Sequence, residues 1–130
     1  MLARVPQPSA PRRSRRVLVV EDDTDSLAAL TALVEHAGHR VRSALDGQSG
    51  IDLARTFLPD VLIVDMNLPD IDGFAVAGAV KSDPELSGCY VIALTGSTRP
   101  TPLTKNSSVD AYYLKAVESE TLLAAIDRAS

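Results

Sequence analysis

Apolar positions along this chain alternate between two patterns. Arg16-Val17-Leu18-Val19-Val20 is a continuous apolar run that ends in acids, the pattern of a strand buried on both faces. From Asp25, the residues Leu27, Leu30, Leu33, Val34 and Ala37 recur at helical spacing. Thr24 or Asp25 can cap the start of that helix and Gly38 can close its end. A second strand follows near residues 40–44, and its charged alternate positions predict an edge. Asp46 can cap a helix carrying Ile51, Leu53, Ala54 and Phe57, which Pro59 stops. Val61-Leu62-Ile63-Val64 is the most hydrophobic run and predicts a central strand. The stretch 65–73, DMNLPDIDG, is rich in turn formers and leads into a helix from about Phe74 to Lys81. Tyr90–Leu94 and Asp110–Leu114 read as the fourth and fifth strands, and Leu122, Leu123, Ala125 and Ile126 stripe a last helix. Residues 96–108 hold two prolines and many poor helix formers, which predicts a short or frayed helix there.

Strands alternating with helices predict an α/β fold, a doubly wound five-stranded parallel sheet with helices on both faces. In such sheets ligands bind beyond the carboxyl ends of the strands, at the topological switch point. No internal repeat is visible.

Composition bounds this picture. The length of 130 residues suits one domain, and 45% apolar residues suffice for a core without disulfides. The single cysteine, Cys89, excludes an internal disulfide and reads as a small hydrophobe. No Cys/His cluster could hold zinc, and no apolar run approaches the ~20 residues that span a bilayer. A cytoplasmic location is the expectation. The net charge of −4 is uneven: residues 1–16 hold five arginines and no acid, so the remainder carries −9. An acidic body argues against nucleic-acid binding by the globular part. The first 14 residues, with three prolines and no hydrophobic period, read as a disordered basic extension. Acids follow its arginines after only four apolar residues, which excludes a secretory or twin-arginine leader. Residues 15–130 form the domain.

The strand ends carry acid, not glycine. Glu21-Asp22-Asp23 follows the first strand, Asp65 and Asn67 follow the third, Thr95-Gly96 the fourth and Lys115 the fifth. Three acids in the first loop repel phosphate, and there is no GxGxxG or GxxxxGK[ST], which excludes a flavodoxin-type electron carrier and a P-loop enzyme. Two unit charges ~4 Å apart interact by about 4 kcal/mol at an effective dielectric near 20, so converging carboxylates demand a cation. Oxygen ligands favour Mg²⁺ or Mn²⁺. A metal, the Lys115 ammonium and the Thr95 hydroxyl around one carboxylate would clamp a transferring phosphoryl group, with the central carboxylate as nucleophile.

These residues resemble the receiver domain of two-component response regulators. The resemblance runs over about residues 15–129, in the segments LVVEDD (18–23), VDMNLPDIDG (64–73), LTG (94–96) and YYLK (112–115). It implies a CheY-like, flavodoxin-like sheet of order 2-1-3-4-5. It implies that Asp65 is the phosphoacceptor and that Glu21, Asp22, Asp65 and the backbone carbonyl of Asn67 hold Mg²⁺, with Asp22 the more direct ligand of the acidic pair. Thr95 would hydrogen-bond the phosphoryl oxygen, Lys115 would pair with it, and Tyr112 matches the aromatic switch position. The donor would be a histidine kinase or histidine phosphotransfer protein. The output would be altered contacts with a downstream protein, or a phosphorylation-dependent dimer. The chain ends with its last helix, so a stand-alone regulator or relay is expected, an enzyme only in assisting its own phosphorylation and dephosphorylation. The family's lysine is usually followed by proline; here Ala116 follows, and a non-proline cis bond costs about 2.5–4 kcal/mol, which predicts a trans bond or a reshaped loop.

Plainer roles compete at several positions. Asp23 and Asp25 read as caps, Asp70 and Asp72 as turn and cap residues, and His36 and His39 as structural. Two other functions compete with the leading one. A phosphorylation-independent receiver-like binding module draws on Ala116 and the weak segment 96–108. An aspartate-based phosphatase would need an acid two residues after the nucleophile, where Asn67 stands.

Overall fold

The computed structural model describes residues 14–96 and 108–129. Five parallel strands form one sheet of order β2-β1-β3-β4-β5: β1 (Arg16–Val20), β2 (Arg40–Ala44), β3 (Val61–Asp65), β4 (Tyr90–Thr95) and β5 (Ala111–Leu114). Among the described residues, four helices pack on it: α1 (Thr24–His36), α2 (Gly47–Phe57), α3 (Gly73–Ser82) and α4 (Ser119–Asp127). The expected frayed helix between β4 and β5, and residues 1–13 of the basic extension, lie outside the described residues. Ser14, assigned to that extension, donates its hydroxyl to the Gly38 carbonyl at 3.0 Å.

Alternation along the central strands explains the layering. Leu18 and Val20 of β1, Leu62 and Val64 of β3, and Val91 and Ala93 of β4 face α2 and α3. Val17 and Val19, Val61 and Ile63, and Ile92 and Leu94 face α1 and α4. All twelve are essentially inaccessible to water. Each valine, leucine and isoleucine among them contributes about 1.5–3 kcal/mol through burial, so both faces drive folding. The charged positions of β2, Arg40 and Arg42, are exposed at the sheet edge, as the pattern requires.

Helix starts and stops follow local chemistry. Of the three candidates, Asp23 caps α1: its carboxylate accepts the Ser26 N–H, and the Ser26 hydroxyl and N–H together hold its pKa below the usual value. Asp25 sits in the first turn instead, where its charge suits the helix dipole. Asp46 caps α2 through the Ser49 N–H, and Asp72 caps α3 through the Ala75 N–H. Helix α1 gives way at Gly38 (φ 102°), and α2 ends at Leu58 (φ 53°) just before Pro59.

Parallel register brings the carboxyl ends of β1, β3, β4 and β5 to one edge. Glu21 N–H extends the β1–β2 ladder to the Ala44 carbonyl (3.1 Å), Met66 N–H reaches the Leu94 carbonyl (3.0 Å), and Lys115 N–H reaches the Thr95 carbonyl (2.7 Å). The first residues of each loop are therefore still held by sheet hydrogen bonds.

Candidate functional site

Three carboxylates meet at this edge. Oxygens of Glu21, Asp22 and Asp65 all lie within 4.8 Å of one another. Glu21 and Asp65 are buried, at 1% and 3% exposure, and Asp22 is exposed. Asp65 is the last residue of β3 rather than the first of its loop, which accounts for its burial.

Lys115 supplies the compensating charge. Its Nζ lies 3.0 Å from Asp65 Oδ2 and 2.7 Å from Glu21 Oε1. The first contact is a hydrogen bond; the second is an ion pair off hydrogen-bond alignment, which leaves buried Glu21 Oε1 without a hydrogen-bond donor. Burial raises the Glu21 pKa, against opposing pulls from Lys115 and from the Asp23 N–H, which donates to Glu21 Oε2 at 3.1 Å. Burial pulls the Lys115 pKa down, but pairing with Glu21 and Asp65 outweighs it and the net shift is upward. Among the described residues, one ammonium thus pairs with two of the three carboxylates. The gathered negative charge and the all-oxygen donor set fit a hard divalent cation.

Lys115 reaches the acids although no proline follows it. All peptide bonds among the described residues are trans, and Ala116 takes a left-handed φ of 54°. That conformation costs an L-residue about 1–2 kcal/mol. Of the two expected outcomes, the trans bond is therefore present, and the lysine still reaches the acids.

The remaining sequence candidates occupy the rim. The exposed Asn67 donates its N–H to Asp65 Oδ1 at 3.1 Å, so its backbone lies directly over the acid. Gly73 closes the same loop: its N–H bonds the Met66 carbonyl at 3.1 Å, and a Cβ there would stand 2.7 Å from the Asp65 carbonyl oxygen. Thr95 is half-buried at the end of β4. Tyr112, half-buried on β5, packs its ring 6.3 Å from that of Phe74, and burial raises its phenol pKa. A cavity of about 280 Å³ opens beside the acids, lined by Glu21, Leu30, Leu94, Lys115 and Val117.

The histidines and the cysteine stand apart from this edge. His39 is buried beside β2 at the opposite end of the sheet, and His36 ends α1. Burial pushes the Cys89 thiol up to about 12, which leaves it an unreactive hydrophobe. Asp70 was assigned a turn role from sequence. Its carboxylate in fact accepts two N–H groups from α2, and no local spacing could have signalled a partner 22 residues away.

Known proteins share this fold. A family model for the response regulator receiver domain matches residues 17–127. The chain is 35% identical over 114 residues to Protein PilH of Pseudomonas aeruginosa, spanning 86% of this chain and 94% of that one. It is 34% identical over 127 residues to the gliding motility regulatory protein of Myxococcus xanthus, 95% of this chain but 16% of that longer protein. The solved structure of chemotaxis protein CheY4 from Vibrio cholerae superposes with a TM-score of 0.83 at 26% identity, covering 91% of this chain and all of that one. A CheY-like receiver domain protein from Methanospirillum hungatei superposes with a TM-score of 0.78 at 28% identity, covering 88% and 91%.

Proposed function

The chain belongs to the response regulator receiver family, a signalling module of two-component systems, and on that premise we propose that Asp65 is its phosphoacceptor. The observation that carries the reading is the convergence of Glu21, Asp22 and Asp65 on one another at the carboxyl edge of the sheet, with Lys115 paired to Glu21 and Asp65. An oxygen of Asp65 attacks the phosphorus of a phosphohistidine on a histidine kinase or phosphotransfer protein. The P–O bond forms as the P–N bond breaks, and its electron pair returns to the imidazole, which takes up a proton. Glu21, Asp22, Asp65 and the Asn67 carbonyl would hold Mg²⁺, which supplies charge neutralisation at the phosphoryl oxygens.

The chain's own groups do the rest. Lys115, already paired with Asp65, follows the negative charge from the carboxylate onto the phosphoryl group. The Thr95 hydroxyl donates to a phosphoryl oxygen. Thr95 and Lys115 both lie next to β5, so their movement shifts the balance between two packings of Tyr112, and the changed surface selects a downstream partner. The same site assists hydrolysis of its own acyl phosphate, and the protein acts by contact rather than by turnover of a free substrate.

Beryllofluoride, which mimics an acyl phosphate, tests the reading through ¹⁹F NMR. With Mg²⁺ present, the protein is expected to show a bound fluoride resonance that Asp65→Asn lacks. Absence of bound beryllofluoride in the unaltered protein would replace this reading with a phosphorylation-independent binding module.

A further inference from the structure

The first four amides of α2 have no partner within the helix and must find one elsewhere. Asp46 serves two of them: its side chain accepts the Ser49 N–H at 2.8 Å and its carbonyl the Gly50 N–H at 3.1 Å. The other two are served from across the sheet edge. Asp70 Oδ1 accepts the Gly47 N–H and Oδ2 accepts the Gln48 N–H, each at 2.8 Å. The two amides hold the Asp70 pKa below its ordinary value, so the clamp is charged at neutral pH.

Asp70 belongs to the loop that leaves Asp65. Only Leu68 and Pro69 separate it from Asn67, whose N–H bonds Asp65 Oδ1. Pro69 fixes its own φ and restricts the residue before it, so little slack lies between the two. Ile71 reinforces the contact: a Cβ on Gly47 would collide with its Cγ1, so helix and loop touch without a gap. The far end of the loop is pinned by Asp72, which caps α3.

We propose that Asp70 is a positioning residue for the phosphorylation site: by clamping the β3–α3 loop to the N-terminus of α2 it holds the Asn67 backbone over Asp65. The proposal rests on the reading of Glu21, Asp22, Asp65 and Asn67 as the cation site. It makes α2 a support of the chemistry although no residue of α2 enters the site.

Asp70→Ala and the milder Asp70→Asn, which keeps one acceptor, test it in the full chain. The readouts are Mg²⁺-dependent labelling by acetyl phosphate and amide exchange by NMR, at about 0.5 M KCl to screen the lost surface charge. Asp70→Ala is expected to raise the half-saturating Mg²⁺ concentration about tenfold, with a saturated rate within about twofold of the original. Exchange is expected to quicken at Asn67 as well as at Gly47 and Gln48, with Asp70→Asn intermediate. Faster exchange confined to Gly47 and Gln48, with unchanged Mg²⁺ dependence, would reduce Asp70 to a helix cap and overturn the proposal. If the unaltered protein shows no Mg²⁺-dependent labelling, the site reading itself fails and the proposal falls with it.

Discussion

The two ends of this sheet bury charge of opposite sign and use it differently. At the amino end, Arg15 and His39 are each 6% exposed. Arg15 Nη2 donates to the Asp127 carbonyl at 3.1 Å, and the Arg15 N–H donates to His39 Nδ1 at 3.1 Å. Asp60 accepts the Arg16 N–H at 2.8 Å, returns its own N–H to the Arg16 carbonyl, and offers its carbonyl to Tyr90. Charge there is spent largely on backbone, tying the entries of β1, β3 and β4 to the end of α4. At the carboxyl end, Glu21, Asp22 and Asp65 converge on one another with, among the described residues, a single ammonium paired to Glu21 and Asp65. The first arrangement joins chain segments, although Arg15 Nε and Nη1 are buried without a hydrogen-bond partner; the second gathers three carboxylates within 4.8 Å of one another. Burial of an ionisable group alone therefore does not mark a site, whereas convergence with an uncompensated sign does.

The largest expected effect breaks the carboxyl end. Lys115→Ala leaves Glu21 and Asp65 buried without their counter-charge. Removing one partner of a fully buried pair costs about 3–5 kcal/mol, and because Lys115 is a third exposed the expected loss is about 2 kcal/mol in EDTA. Saturating Mg²⁺ should recover much of that loss, since a cation that binds only the folded state stabilises it. Urea unfolding with and without the metal reads both values, and a variant as stable as the parent in EDTA would show that the acids do not repel one another.

At the amino end the expected effect is a pH dependence of opposite logic. His39 must be neutral at Nδ1 to accept the Arg15 N–H. Burial lowers its pKa, the facing Asp127 opposes that shift, and the Arg15 guanidinium adds to it. A folded pKa below the unfolded value contributes stability that is present above about pH 6.5 and lost as pH falls through the folded pKa. One proton limits the slope to about 1.4 kcal/mol per pH unit. His39→Asn, whose amide oxygen can accept the same N–H, should flatten the stability profile between pH 7 and 5. An unchanged profile would mean that His39 takes no part in it.

The smallest effect sharpens the account of Lys115. Ala116→Gly removes the penalty of a positive φ and should stabilise the fold by up to about 1 kcal/mol, less what glycine gains in unfolded freedom. Labelling of Asp65 should be unchanged, because Lys115 already reaches it. Destabilisation by more than that amount would mean that the alanine side chain contributes packing.

What the sequence made legible follows from which interactions are local. Asp65 stood out because an acid directly after the most apolar strand of a parallel sheet must lie at the ligand-binding edge. Glu21, Thr95 and Lys115 followed from the same rule applied to the other strands. The cap of α1 is legible only as a choice, since Asp23, Thr24 and Asp25 are all competent caps and only the backbone turn selects Asp23 among them. Asp70 was legible as a turn residue but not as a clamp, because its partners are joined by the fold rather than by spacing. The burial of Arg15 and His39 was hidden because charged residues beside a strand read as solvated until the closing helix is known.

The central claim is that Asp65 accepts a phosphoryl group in a reaction that needs a divalent cation. Intact mass after acetyl phosphate treatment tests it most directly, with EDTA and Asp65→Ala as controls. The account predicts a gain of one phosphoryl group that requires both Mg²⁺ and Asp65. A gain that survives Asp65→Ala would move the acceptor elsewhere. No gain, where a control receiver is labelled and rapid hydrolysis is excluded, would contradict the claim.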